Sequence, residues 1–166
     1  MNQADLLAEE LDGTRDWTLK LLADLSGDDW KFMPGDGLPH ALWLCGHFAV
    51  AQHLLVHVRC LSAPVLEDSF IAHFPIGAPV KSTTEHDYPS PETILQVMET
   101  THAQTIAAIK GMGDALLAEP ATGAEGKPHP HYRDKRGAVM HCNRHEAFHA
   151  GQLATIRRLL GKPFLR

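Results

Sequence analysis

Several features that would assign this chain to a well-marked class are missing. It has three cysteines, Cys45, Cys60 and Cys142, in 166 residues. An odd number without paired spacing excludes a disulfide framework and reads as reduced thiols in a cytoplasmic protein. A surplus of positive charge is also missing: 15 Lys and Arg against 20 Asp and Glu give a net charge of −5. That balance argues against nucleic acid or an anionic membrane as partner. The basic clusters at Arg133–Arg136 and Arg157-Arg158 read as solvated surface. Met1-Asn2-Gln3-Ala4-Asp5 opens no basic region followed by an apolar block, so no signal peptide is expected. No apolar run reads as transmembrane in length. No repeat, low-complexity tract or strand pattern longer than a few residues is present. After His149 there is no Asp, Glu or His.

What is present is helical periodicity, in a chain long enough for one domain, 1–166, with its own core. The first helix is expected from about Asn2, a capping residue with Asp5 in the first turn, to Leu25, where Ser26-Gly27 stops it. Its stripe is Leu7, Leu11, Leu21, Leu22 and Leu25, with Trp17 nearby. A turn-rich connector with the aromatic plugs Trp30 and Phe32 comes next. The second helix is expected to open with Pro39 in its first turn and run to about Leu61, with a stripe of Trp43, Leu44, Val50, Ala51, Leu54, Val58 and Leu61. Residues 62–90 form a long connection with a short helical turn near Ser69–Phe74. Ser90-Pro91-Glu92 caps a third helix, running to about Leu117 over Leu95, Met98, Ile106, Ile109, Met112 and Leu116. After a second long loop, a fourth helix begins near Arg136–Val139 and ends at Leu160-Gly161, with Arg157 and Arg158 complementing its dipole. Four amphipathic helices make an all-α four-helix bundle. The long crossover between the second and third allows these two to run parallel.

Histidine is abundant, with twelve residues, so a lone one carries little meaning. His145 and His149, in His145-Glu146-Ala147-Phe148-His149, are four apart and lie about 40° from each other around a helix. Their face continues through Leu153, Ile156 and Leu160, which makes it core-facing. A buried imidazole pair needs partners: a divalent metal is one, and carbonyls or waters are the plain alternative. On the second helix His47 sits inside the apolar stripe. His53 and His57 fall on its flanks, where solvent accounts for them, and His40 lies at the helix entrance. His102 is a spare candidate at a boundary. His129 and His131 are loop histidines. In a bundle His47, His145 and His149 can converge, and three neutral imidazoles suit zinc, nickel, copper or iron(II). Three protein ligands leave a position open, as reactive sites do. Glu146 points about 100° from His145, towards the edge of the core face, and is expected to be an interhelical partner. Gln152 can bond a ligand imidazole or a bound water, or close an inter-helix gap. Cys142 reads as a small core hydrophobe, and Cys45 lies opposite His47.

His145–His149 also spells the metalloprotease pattern H-E-x-x-H. The extended pattern wants Gly and His downstream, where Gln152 and Thr155 stand. With no downstream ligand available, a third would have to come from upstream, which is not the peptidase layout.

Trp43-Leu44-Cys45-Gly46-His47, Asp87-Tyr88-Pro89-Ser90, and the run from His145 through Gly151-Gln152-Leu153 into Arg157-Arg158-Leu159-Leu160-Gly161-Lys162-Pro163 resemble the DinB-like, or YfiT-like, bundle proteins. The order and spacing of these blocks extend the resemblance over nearly the whole chain. The resemblance implies up-down-down-up helix order and a divalent metal held by His47, His145 and His149, often in a homodimer. Zinc or nickel leads the expectation, with iron or manganese next. The family includes S-transferases using bacterial thiols, a maleylpyruvate isomerase and members of unknown activity, so fold does not choose among them. The expected reaction is S-transfer from a metal-activated small thiol. A metal-dependent hydrolase and a non-catalytic metal- or ligand-binding bundle are the alternatives.

Overall fold

In the computed structural model, which describes residues 2–122, 126–127, 129 and 131–165, four long helices carry the architecture: α1 (Gln3–Leu22), α2 (Ala41–Leu61), α3 (Pro91–Lys110) and α4 (Lys135–Leu159). The side-chain pairs between them set their directions. Thr14 meets Asn143 and Arg15 meets Glu146, so α1 and α4 run parallel. Gln52 meets His102 and His57 meets Thr105, so α2 and α3 run parallel. Arg15 bonds the Met98 carbonyl while Asp12 meets His102, and the Phe48 ring meets His149 while Cys60 Sγ meets the Lys135 carbonyl. The α1–α3 and α2–α4 pairs are therefore antiparallel. This is the expected up-down-down-up all-α bundle, with the long crossover between α2 and α3.

The capping chemistry accounts for most helix starts. Asn2 and Asp5 form a reciprocal capping box on α1, Ser90 caps α3 with Pro91 behind it, and the Asp134 carboxylate accepts from Gly137 N–H on α4. Pro39 is not in the first turn of α2. His40 is its cap, with Nδ1 accepting from Trp43 N–H and Nε2 3.3 Å from the Lys81 carbonyl. α1 ends at Leu22, short of Ser26-Gly27, and Trp17 lies on its surface. α3 stops at Lys110, because Gly111-Met112-Gly113 breaks it before a separate turn at Asp114–Leu117. Its buried face runs through Ile94, Met98, Thr101, His102, Thr105 and Ile109. Leu95, Ile106 and Leu116 are only partly buried.

α2 departs most from expectation. Every residue from Ala41 to Gln52 is buried, so it has no exposed flank. Residues His53–Val58 form a π-helical stretch, which adds a residue to the turn and rotates the remainder of the helix. His53 and His57 are therefore buried, not on a solvated flank. His53 Nδ1 accepts from Val65 and Leu66 N–H, pinning the start of the crossover, and His57 Nε2 lies 3.0 Å from Thr105 Oγ1. By length and composition Ala41–Leu61 is apolar enough to cross a membrane, contrary to the expectation from sequence. Its most apolar window is 89% buried among the other helices, as a core helix is.

The crossover contains the expected short helix, at Asp68–Ile71, and docks through Phe74, which is fully buried. A Cβ at Gly46 would come within 2.1 Å of that ring. Gly46 is thus what lets the crossover close over α2 one residue from His47.

Candidate metal centre

His47 is buried in the second turn of α2, its ring stacked on Trp43 at 4.5 Å and 18°. Because α2 and α4 are antiparallel, it faces His145 and His149 one turn apart on α4. The ring centroids are 4.8 Å (His47–His145), 4.9 Å (His47–His149) and 4.5 Å (His145–His149) apart. One candidate ligand nitrogen from each ring lies within 4.8 Å of the other two. The expected trio does come together.

Its setting differs from the expected one. The innermost line of α4 is Val139, Cys142, Glu146, Ala150, Leu153 and Arg157. His145 and His149 flank it, half-buried, and Glu146 takes the centre. The edge position suits a reactive site, since small molecules can reach it.

The donor set fits a divalent cation. His47 is pushed down to about 3, by burial and then by the facing rings of His145 and His149. His145 is lowered to about 4 by burial, then by His149 and His141. Burial also lowers His149, offset by its bond to Gln152. All three rings are therefore neutral at pH 7, each with one lone pair. His149 Nδ1 lies 2.5 Å from Gln152 Oε1, which assigns the proton to Nδ1 and leaves Nε2 bare. His47 Nε2 and His145 Nε2 are 3.0 Å apart, so one ring donates to the other's lone pair there, and a shared cation can take both lone pairs in place of that proton. His47 Nδ1 is buried without a partner among the described residues. No carboxylate is part of the cluster. Converging lone pairs with too few protons between them are what a Lewis acid satisfies. Nitrogen donors of this kind suit zinc, nickel or iron(II).

Beside the trio lies a second buried polar cluster. Arg15 Nε and Nη2 donate to the two Glu146 oxygens at 2.7 and 2.9 Å, and Nη1 donates to the Met98 carbonyl. Gln52 Nε2 donates to Glu146 at 3.0 Å and lies 3.1 Å from His102 Nδ1. His102 Nε2 lies 3.0 Å from Asp12. Burial pushes the Glu146 carboxyl up, but the Arg15 bond and charge outweigh it and hold it below the ordinary carboxylate value. Glu146 is thus the interhelical partner expected, and no base for the trio. His102 is a member of this cluster and no ligand. A cleft of about 460 Å³ borders Arg15 and His102, but both have their donors committed. The cleft at the trio, about 310 Å³, opens at His145.

The remaining polar expectations divide. Cys45, Cys60 and Cys142 are all buried free thiols, with Cys142 the core hydrophobe expected and Cys45 equally enclosed. Burial raises Cys45 to about 12 and Cys60 to about 11. Arg157 is no solvated dipole partner: it is buried and bonds the Leu21 and Pro163 carbonyls and Asp24. His129 is no plain surface histidine either, since it stacks on Tyr132 at 3.8 Å and lies 2.8 Å from Arg59 Nη1. His131 is exposed, as expected.

An up-down-down-up bundle whose second and fourth helices bring three neutral imidazoles together defines a helical candidate metal-binding protein. A family model for the DinB superfamily matches residues 10–153, and the chain belongs to that superfamily. In fold it is similar to a solved structure, a conserved protein from Enterococcus faecalis. That match has a TM-score of 0.66 at 20% identity and covers 98% of this chain and 99% of the other. At that identity the likeness carries the fold alone. No curated protein matches the chain.

Proposed function

We propose that this protein is a divalent-metal-dependent enzyme: an S-transferase that takes a low-molecular-weight thiol and a small electrophile. The observation that carries the metal reading is the meeting of His47, His145 and His149 within 4.8 Å, without a carboxylate. A divalent ion there supplies a Lewis acid that lowers the pKa of a thiol or water. The chain's own residues prepare the site. Gln152 fixes the His149 ring, Trp43 packs against His47, and Glu146 is kept out by its pairing with Arg15. The nucleophile has to come from outside the chain, because Cys45, Cys60 and Cys142 are buried thiols with raised pKa values. The preference for a thiol over water rests on the superfamily resemblance. Zinc or nickel is the metal proposed, and a cytoplasmic homodimer the working unit.

The test starts with protein purified without an affinity tag. Stoichiometric metal, lost in His149→Ala, is the expected result; a metal-free wild type that takes up none on reconstitution ends the proposal. Metal-loaded protein is then offered several small thiols with a generic electrophile. Conjugate formed with one of them supports S-transfer. Consumption of an ester or amide probe without thiol reassigns the site to hydrolysis, and inertness to both leaves a metal-binding bundle.

A further inference from the structure

Where the end of α2 meets the start of α4, Arg59 stands without an acid. It is half-buried, and among the described residues no carboxylate pairs with it. Its neighbours are neutral or basic. Nη1 donates to the Tyr132 hydroxyl and lies 2.8 Å from His129 Nε2. The guanidinium carbon lies 5.9 Å from the Tyr132 ring centroid, and His129 stacks on that same ring, with the two rings 2° from parallel. Nε and Nη2 make no hydrogen bond among the described residues. So one side of the guanidinium fork is locked in place and the other is free.

These groups line the cleft of about 310 Å³ together with His131, His141 and His145. That volume is at the small-ligand end of the range for binding pockets. The cleft leads to the trio: His141 and His145 are successive turns of α4 with rings 6.1 Å apart, and His145 is a proposed metal ligand. Its lining also includes the apolar side chains of Leu54, Leu55 and Ile76. Burial lowers His141, followed by the nearby charge of Arg144, then His131 and Arg59, with no acid raising it. A cationic corner in a chain of net charge −5 is a local exception. A fixed, unpaired guanidinium with a phenol and imidazoles around it is the chemistry that recognises an oxyanion.

We propose that this cleft binds the carboxylate or phosphate group of the small-molecule substrate, with Arg59 as its charge partner. The reactive end of that substrate then lies along the apolar side chains towards His145. The assignment to substrate, as distinct from anion binding itself, rests on the metal-centre reading.

The experiment follows the histidine side-chain ¹H–¹⁵N signals of the full chain, metal-free and metal-loaded. Glutarate is titrated as the carboxylate probe and phenylphosphonate as the phosphate probe. Saturable shifts of the His129 and His141 signals are expected with one or both, and the stronger probe names the anion. Arg59→Gln should raise the apparent Kd about tenfold or more, the scale of a charge-assisted contact, and Arg59→Lys should raise it less. His149→Ala, which removes the metal centre, should leave anion binding in place. No shift with either probe in the wild type overturns the proposal, as does an unchanged Kd in Arg59→Gln. If Arg59→Gln does not fold, His141→Gln decides, and an unchanged Kd there overturns it equally. Anion binding without metal uptake would sink the proposed function and spare this site, while metal uptake without anion binding would do the reverse.

Discussion

Two polar clusters lie side by side in the bundle, one joining all four helices and buried except at Asp12, the other between α2 and α4, and they are built on opposite principles. In the Arg15–Glu146–Gln52–His102–Asp12 cluster, charge meets charge and nearly every donor has an acceptor. Gln52 Oε1 is its one orphaned buried atom among the described residues. Such a cluster holds helices in register and has little left over for a ligand. In the His47–His145–His149 cluster the groups match each other instead of complementing each other. Three neutral rings bring nitrogens within 4.8 Å of one another, two of them 3.0 Å apart with room for one proton between them. A protein tolerates that arrangement when something outside the chain completes it. The contrast separates the two roles more sharply than burial does, because the complete cluster is the deeper of the two.

The contrast breaks most visibly at Glu146. Glu146→Ala leaves the Arg15 guanidinium, only 3% exposed, without its counter-charge. A loss of about 3–5 kcal/mol of unfolding free energy is expected, read from urea denaturation of metal-free protein. A loss below about 1 kcal/mol, the scale of an exposed ion pair, would mean that the cluster is not what locks α1 to α4. The histidine cluster should respond the other way round. Metal at a hundredfold excess over its Kd should stabilise the wild type by about 2.7 kcal/mol. His149→Ala should fold normally without metal and gain none of that increment. Thermal melts with and without chelator check this, and identical wild-type melts would erase the distinction between the clusters.

Much of this was readable from residue spacing, and the misses have physical causes. Ala4, Ala8, Leu11, Arg15, Thr18 and Leu22 recur at the helical period and are the buried face of α1. Arg15 stands in that series, as Glu146 stands in the series of α4. The apolar stripe read for α1 left Arg15 out and the core face read for α4 put Glu146 at its edge, because a charged residue shows as core only once its partner on another helix is known. His47 was legible because it falls among apolar residues, and the His145–His149 pair because four-residue spacing brings two rings to one side. The burial of His53 and His57 was not legible. It depends on the π-helical stretch and on a helix surrounded on all sides, and neither leaves a local signature. Arg59, Tyr132 and His129 come together across some seventy residues of chain, which no periodicity reports.

The supporting contact of the trio gives a smaller effect. Gln152→Ala removes the acceptor that holds His149 Nδ1–H. The metal Kd should rise about 10- to 100-fold with little change in metal-free stability. Competition against a chromophoric chelator measures it. An unchanged Kd would show that the ring is held by packing alone, for which the nearby Phe48 and Phe148 rings are the candidates.

The smallest effect concerns pH, and it sharpens the contrast from the side of the complete cluster. Burial and then the Arg15 charge lower His102, while the Asp12 bond, Glu146 and the Asp12 charge pull it back up without restoring it. A histidine with a lower pKa folded than unfolded binds its proton more readily in the unfolded chain. Its contribution to stability is whole above the unfolded value, about 6.5, and drains away as pH falls towards the folded one. Stability of the metal-free protein should therefore decline as pH drops from about 6.5 to about 5, with His47 and His145, lowered furthest, and His40, His53, His57 and His149, each lowered chiefly by burial, adding to the slope. His102→Gln keeps a hydrogen-bonding side chain beside Gln52 and Asp12 but cannot take a proton. Its stability should fall less steeply over the same window, measured as urea midpoints at half-unit steps of pH. Equal slopes would place the acid sensitivity outside the Arg15–Glu146 cluster and leave that cluster indifferent to protons as well as to ligands.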